Sequence, residues 1–265
     1  MALPLLNYFA HGDWVDPPVG SEAWDVVAAD SFVLSEGEIV GYTRHLERFF
    51  DAVADAGFSI DDDVTEFIER SELWFPREGR WFPRFDLISD GDDYALRYHH
   101  RVAPPAESEA TLIVAPKDPR RVPHRKGPDL EAMGSLRHWA TTQGATEALI
   151  TDVNGVVIEG AYSSIVVFDP ETKELSVTPT EWPRIPSITE QLVCELAEDE
   201  GMVVTERAHT LAQWEHKEVW VLSALHGIRQ ATAVIDGPPL ARNNPLAEHF
   251  TKRLREYDHP LDGSF

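Results

Sequence analysis

Ala145-Thr146-Glu147-Ala148-Leu149-Ile150-Thr151-Asp152, then Val153-Asn154-Gly155, then Val156-Val157-Ile158-Glu159-Gly160 is the stretch that decides how this chain folds. Two apolar runs flank an Asn-Gly dipeptide, and Asn and Gly are the residues that tolerate a tight hairpin turn. The stretch therefore reads as strand, turn, strand. Its second strand ends on a carboxylate, Glu159, between Ile158 and Gly160. A carboxylate in such apolar company needs a partner. Read alone, that partner is an arginine or the protonated ring nitrogen of a ligand.

Working outward, the upstream segment His124-Arg125-Lys126-Gly127-Pro128-Asp129-Leu130 carries a lysine beside two other basic side chains. A lysine that forms a Schiff base must be partly deprotonated, which burial and neighbouring cations favour. Read alone, Lys126 is equally a solvated linker residue. Downstream, Ile185-Pro186-Ser187-Ile188-Thr189 opens a helix. Its first amides and the Thr189 hydroxyl suit an anion, and Ser187 also suits an ordinary cap. A lysine, a carboxylate and a helix N-terminus are what an aldehyde, a pyridine nitrogen and a phosphate require. Pyridoxal phosphate carries all three groups.

The remaining chain predicts an α+β first part and an α/β second part. Residues 1–22 are rich in Pro, Gly and Asp and read as an irregular arm. Trp24 to Leu34 and Ile39 to Tyr42 read as strands around a Ser35-Glu36-Gly37-Glu38 turn. Leu46, Phe49, Phe50, Val53 and Ala54 then recur at helical spacing, with Gly57 as the stop. Asp61-Asp62-Asp63 opens a second helix, since carboxylates favour its positive end; that helix ends by Pro76. Trp81 to Ile88, Tyr94 to Val102 and Thr111 to Ala115 read as strands, the first two joined by the Asp90-Gly91-Asp92-Asp93 turn. Past the linker, Asp129 caps a helix to about Gln143. Tyr162 to Phe168 and Leu175 to Thr178 are strands, and Ser187 to Glu200 is a helix. Met202 to Thr205, Glu218 to Leu222 and Ile228 to Ile235 are strands, and Pro245 to Tyr257 a final helix. The expected division is residues 1–115, a polar, proline-punctuated linker at 116–125, and residues 126–265.

Composition narrows the function. At 265 residues with 43% apolar side chains, eight Trp and twelve Phe, the chain can bury a sizeable core. No apolar run is long enough to predict a membrane span. Met1 to Leu6 lacks a basic region and is soon followed by Asp13 and Asp16, so a cytoplasmic location is expected. Twenty-three basic residues face 46 acidic ones, a net charge of −23, which disfavours nucleic acid as a partner. A small anionic ligand needs a locally basic pocket, and cations concentrate at Arg97 to Arg101 and Arg120 to Lys126. The single Cys194 excludes an internal disulfide and a multi-cysteine metal centre; no metal is expected.

Taken together, the motifs resemble the fold-type IV pyridoxal-phosphate enzymes: class IV aminotransferases, including branched-chain and D-amino-acid aminotransferases, with aminodeoxychorismate lyase as a relative. The resemblance rests on His45-Leu46-Glu47-Arg48-Phe49, Thr146 to Asp152, Gly155-Val156-Val157-Ile158-Glu159-Gly160-Ala161-Tyr162-Ser163-Ser164 and Ile185-Pro186-Ser187-Ile188-Thr189. It implies two domains with the cofactor in the cleft between them. It implies that Lys126 forms the internal aldimine and acts as general acid and base, and that Glu159 meets the pyridine nitrogen. Arg48, Ser187, Ile188 and Thr189 would cradle the phosphate. Ser223, Ala224 and Leu225 would form a turn whose amides meet phosphate or substrate. Arg97 and Arg101, read as one face of a strand, are the expected carboxylate partners of an amino acid or oxo acid.

The resemblance also implies a homodimer. An aminotransferase is the first reading. A lyase that releases pyruvate from 4-amino-4-deoxychorismate is the second, and a non-catalytic relative the third. Four departures stand out. Ser187 replaces a Gly, Ser164 an Asn, and Glu131 a Tyr, while Ala224 sits where branched-chain enzymes commonly carry Thr. The sequence is read as having no match to the Arg-x-His carboxylate clamp of the D-amino-acid enzymes.

Overall fold

The computed structural model describes residues 6–242 and 245–261, and the chain divides into two compact units. The first comprises the chain through Pro104, the segment Arg125–Leu130, and the tail from Tyr257. Its elements are β1 (Leu6–Ala10), β2 (Asp13–Val15), β3 (Asp25–Ser31), β4 (Leu34–Ser35), β5 (Glu38–Val40), α1 (Tyr42–Asp55), α2 (Asp62–Glu72), β6 (Arg80–Trp81), β7 (Arg84–Ser89) and β8 (Tyr94–His99). An antiparallel sheet runs in the order β2-β1-β8-β7-β3. A smaller sheet joins β5, β4 and β6 with a closing strand, Asp258–Pro260.

Local sequence explains the helices. On α1, His45, Phe49, Ala52 and Val53 are buried, the one-stripe pattern of a helix packed on a sheet. Asp61 caps α2 by accepting the Val64 N–H, and Asp62 and Asp63 lie in its first turn, where the helix dipole favours them. The core is aromatic: Phe9, Phe32, Phe49, Phe67, Phe85 and Tyr98 pack in one cluster.

The second unit comprises Pro105–His124 and Glu131–Glu256. Its elements are β9 (Glu109–Val114), α3 (Leu130–Thr142), β10 (Glu147–Thr151), β11 (Val157–Gly160), β12 (Ser164–Asp169), β13 (Glu174–Val177), α4 (Ile188–Asp199), β14 (Val203–Glu206), β15 (Glu218–Ser223), β16 (Gly227–Val234) and α5 (Leu246–Arg253). They form a mixed sheet in the order β11-β10-β9-β16-β15-β12-β13-β14. The hairpin read from the sequence is present as β10 and β11. It carries a bulge at Ile150/Thr151, which locally breaks the side-chain alternation. The fold is mixed α/β in two units, as expected.

Four expectations change. Residues 1–22 are not an irregular arm: β1 pairs with β8 and β2 with β1. Their Pro, Gly and Asp fall mainly in the connections; residues 1–5 of that arm lie outside the described residues. The strand β9, expected in the first domain, lies between β10 and β16 and is parallel to both. Its Ala110 and Leu112 bury against Leu149 and Val221, which moves the boundary from 115 back to Pro104/Pro105. Arg125, expected to end the linker, and residues 126–130, expected to open the second domain, belong to the first unit. The last helix reaches Tyr257 as expected, its final turn Leu254–Tyr257 being 3-10, but the chain then pairs Asp258–Pro260 with β5, a strand the sequence did not predict.

Candidate active site

In the first unit the lysine segment lies along β3. The Ala29 N–H donates to the Lys126 carbonyl at 2.8 Å. The next residue, Gly127, has φ 138°, and a Cβ there would sit 2.9 Å from the Ala28 backbone. Only glycine satisfies both the conformation and the contact. His45 and Arg48, three residues apart, share a face of α1, and both reach Asp30 of β3.

Asp30 is fully buried. Its Oδ2 accepts from Arg48 Nε at 2.7 Å. Its Oδ1 accepts from Ser31 N–H at 2.7 Å and Arg48 Nη2 at 3.0 Å, and lies 2.8 Å from His45 Nδ1. Lys126 Nζ stands 3.7 Å from the same oxygen. Burial would raise the Asp30 pKa, but Arg48, Lys126 and His45 together hold it far below the carboxylate range. Burial pushes the Lys126 amine down to about 8; Asp30 resists, while Arg48, Arg101 and Arg84 add to the depression. Burial also lowers His45, against the pull of Asp30.

A second carboxylate, Asp86 on β7, gathers cations from two strands. Its Oδ2 accepts from Arg84 Nη2 at 2.9 Å and Arg97 Nη2 at 2.8 Å, and meets His99 Nε2. Burial opposes its ionisation, yet His99, Arg84 and Arg97 hold its pKa well below the usual range.

The expected pairing of Arg97 with Arg101 on one strand is corrected. Regular pairing in β8 ends at His99, and only an isolated bridge from Trp81 to Val102 follows. Arg101 instead donates to the Phe82 carbonyl at 3.0 Å and to Ser31 Oγ at 3.3 Å, with its guanidinium 4.9 Å from the Phe82 ring centroid. The partner of Arg97 on that face is His99. Arg97-Tyr98-His99 is itself an Arg-x-His triplet, which the sequence reading passed over.

In the second unit Glu159 ends the buried strand β11. Its Oε1 accepts from Arg120 Nη1, and its Oε2 from the Ile185 N–H at 3.3 Å. Burial raises its pKa to about 7 despite Arg120. Arg120 also donates to Asp118 Oδ2 at 2.7 Å and to the Pro183 carbonyl at 2.6 Å.

Ser187 caps α4: its Oγ accepts from Glu190 N–H at 3.3 Å, and its carbonyl from Gln191 N–H at 3.1 Å. The amides of Ile188 and Thr189 have no acceptor within the helix, as for any first turn. Arg184 Nη2 braces the approach by donating to the Thr178 carbonyl at 2.6 Å and to Glu190 Oε1 at 2.7 Å. Ser164 Oγ donates to Ser187 Oγ at 3.0 Å, so two of the departures from the motif touch one another. Ser223 ends β15, Ala224, Leu225 and His226 form the turn to β16, and Ser223 Oγ accepts from His226 N–H at 3.3 Å.

The family model for amino-transferase class IV matches residues 28–234. The chain belongs to this family. Membership makes it a pyridoxal-phosphate-dependent aminotransferase. Similar solved structures include a hypothetical aminotransferase from Mycobacterium tuberculosis in its PLP-bound form, 17% identical, with 95% of this chain and 98% of that chain covered and a TM-score of 0.75. The branched-chain amino acid aminotransferase of T.th., complexed with N-(5'-phosphopyridoxyl)-L-glutamate, is 15% identical over 97% of this chain and 98% of its own, with a TM-score of 0.81. The Escherichia coli branched-chain enzyme is 16% identical over 94% and 92%, with a TM-score of 0.78. At these identities the likeness shows a shared fold. No curated protein sequence matches the chain.

The residues present fit the family's cofactor. The part-buried Lys126 amine is depressed toward neutrality, the condition for an amine to react with an aldehyde. A carboxylate offers about four acceptor positions; Arg120 and Ile185 provide Glu159 with two donors in the hydrogen bonds above, leaving room for a ring N–H. The first amides of α4 and the Thr189 hydroxyl suit a phosphate. Arg48 is committed to Asp30 through two nitrogens.

The sequence reading missed Asp30, Asp86, His99 and Arg120. Asp30 left a usable signal, a lone carboxylate inside the apolar run Val26 to Phe32. Arg120 was visible only as one end of the basic cluster running to Lys126; nothing in the segment, read as linker, paired it with Glu159. Among the described residues no group of His, Cys, Asp and Glu is placed to hold a metal ion, and no helix is long and apolar enough to cross a membrane.

Proposed function

We propose that this enzyme exchanges an amino group between an amino acid and a 2-oxo acid, with Lys126 as the residue that carries the cofactor and moves the proton. The observation that carries this reading is the placement of the part-buried Lys126 amine 3.7 Å from the buried Asp30 carboxylate, with its pKa shifted down to about 8. When bound, the cofactor supplies an electron-withdrawing ring that accepts the electron pair of a broken Cα–H bond. Lys126 Nζ would take the proton released at the substrate Cα and hold it for return, as a base whose pKa lies near neutrality can do. Glu159 would meet the ring nitrogen and favour its protonated form. Ile188, Thr189 and the Ser187 cap would hold the phosphate, with Arg48 adding charge.

Arg97, with His99 beside it, binds a substrate carboxylate, and Arg101 contributes a further positive charge. If Arg97→Ala and Arg101→Ala both leave substrate KM unchanged, this assignment is wrong. A homodimer, which the family resemblance implies, and a cytoplasmic location belong to the same proposal. Sedimentation equilibrium giving 29.8 kDa rather than twice that mass would remove the homodimer.

The test is the visible absorption spectrum of the purified protein, wild type beside Lys126→Ala, before and after a panel of amino acids. A violet-region band in wild type, altered in the variant and bleached by particular amino acids, supports the reading. One observation favours a second reading: Ala224 leaves the β15–β16 turn without a side-chain hydroxyl at that position, as in the lyases the chain resembles. A band bleached by no amino acid, with pyruvate released from 4-amino-4-deoxychorismate, would replace transamination by elimination.

A further inference from the structure

We propose that Asp30 is a positioning residue that sets the protonation of Lys126 and anchors Arg48 beside it. The inference deepens the function proposed above and rests on Lys126 being the reactive amine. Its basis is the distribution of donors around one buried carboxylate.

Asp30 Oδ1 has three close nitrogen neighbours, Ser31 N, His45 Nδ1 and Arg48 Nη2, at 2.7, 2.8 and 3.0 Å. Oδ2 takes Arg48 Nε at 2.7 Å. An oxygen so crowded has little acceptor capacity left. Lys126 Nζ, at 3.7 Å, stands beyond hydrogen-bond distance but well within coulombic range. The carboxylate therefore offers the amine a counter-charge without tying up its lone pair. A direct hydrogen bond would hold the amine as ammonium and blunt its attack on an aldehyde.

The same carboxylate fixes an opposing charge. Two bonds to Arg48 orient that guanidinium, and Arg48 disfavours a second cation nearby. The charged and titratable groups acting on Lys126 are Asp30 from β3, Arg48 and His45 from α1, Arg84 from β7, and Arg101 just past β8. His45 is depressed by burial against the pull of Asp30, and its Nδ1 lies 2.8 Å from Asp30 Oδ1. Asp30 is the one anion among them, and after burial it is the strongest influence on the amine.

The test titrates the amine itself in the full-length, cofactor-free chain. Acetylation by limiting acetic anhydride is followed at residue 126 by mass spectrometry as a function of pH. The wild-type midpoint is expected near 8. Arg48→Met removes a cation and raises the midpoint. Asp30→Asn removes the anion while keeping the shape, and lowers it by about a unit or more. The double variant falls between wild type and Asp30→Asn, because the Asp30 influence exceeds that of Arg48.

The double variant replaces both members of a buried pair, and so folds more readily than either single one. If Asp30→Asn and the double variant both leave the midpoint at or above that of wild type, with circular dichroism unchanged, the proposal is overturned. A residue that merely held the fold would not move the midpoint. Because no cofactor is present, failure here is distinguishable from failure of the aminotransferase reading, which the absorption spectrum tests.

Discussion

Asp30 in the first unit and Glu159 in the second are both buried carboxylates, yet their proton affinities move in opposite directions. Asp30 is held far below the carboxylate range, while Glu159 is raised to about 7. Burial pushes both upward. The difference lies in the donors. Asp30 accepts two bonds from Arg48, lies against His45 and a backbone amide, and faces Lys126. Glu159 has Arg120 and a longer amide contact. One carboxylate is thereby a permanent anion, suited to tuning a lysine. The other lies near the point where a proton is shared, suited to a partner that brings its own N–H.

The largest effect that sharpens this comparison is at the group Asp30 serves. Lys126→Ala removes the amine and its proton transfer. The turnover rate should fall by on the order of 10³ or more, with the violet-region absorbance lost or displaced. Steady-state assay of the amino-acid half-reaction checks it; a loss under tenfold would sever the link between Asp30 and chemistry.

Next in size is the stability that Asp30 supports. Asp30→Ala leaves Arg48 without its carboxylate in a buried position, a change that costs about 3–5 kcal/mol. Chemical denaturation should show a much lower midpoint with an unchanged slope. Because the folded-state pKa is depressed, this stabilisation is present above the unfolded carboxylate value of 3.8 and is lost as pH falls below it. Glu159 carries the opposite sign. Its folded pKa is raised from 4.5 to about 7, so its protonated form stabilises the fold at low pH. That contribution is lost as pH rises from 4.5 through 7. Glu159→Gln in the cofactor-free chain should flatten this window, changing the wild-type-minus-variant stability by about 1–3 kcal/mol between pH 5 and 8. A constant difference across that range would mean Arg120 keeps Glu159 ionised throughout.

How much of this was legible in the sequence follows from the range of each interaction. The β10–β11 hairpin, α1, α2 and α4 were readable because Asn154-Gly155, Gly57, Asp61 and Ser187 are local signals beside periodic apolar runs. The placement of β9 was not, because its partners β10 and β16 are fixed by packing across long sequence separations. Glu159, Lys126 and Ser187 were visible as motif residues. Asp30, Asp86 and Arg120 were not assigned, since each takes its role from partners brought in by tertiary folding: Arg48 from α1, Arg97 from β8, Glu159 from β11. A charge inside a strand signals that a partner exists, and only the fold says which.

The smallest effect tests whether the α4 cap in the second unit is tuned as tightly as the lysine in the first. Ser164 and Ser187 stand where related motifs carry Asn and Gly, and their hydroxyls are 3.0 Å apart. Ser187→Gly keeps an acceptable cap and should cost only a few tenths of a kcal/mol. Ser187→Ala loses the Glu190 N–H acceptor and should cost about 1 kcal/mol. In a double-mutant cycle with Ser164→Ala, thermal denaturation should reveal a coupling of about 0.5 kcal/mol, because either change alone leaves one hydroxyl without the other. Strict additivity would make the two serines independent replacements. A measurable coupling would make them one joint adjustment, in which the strand β12 holds the α4 cap in place of the backbone freedom a glycine would have supplied.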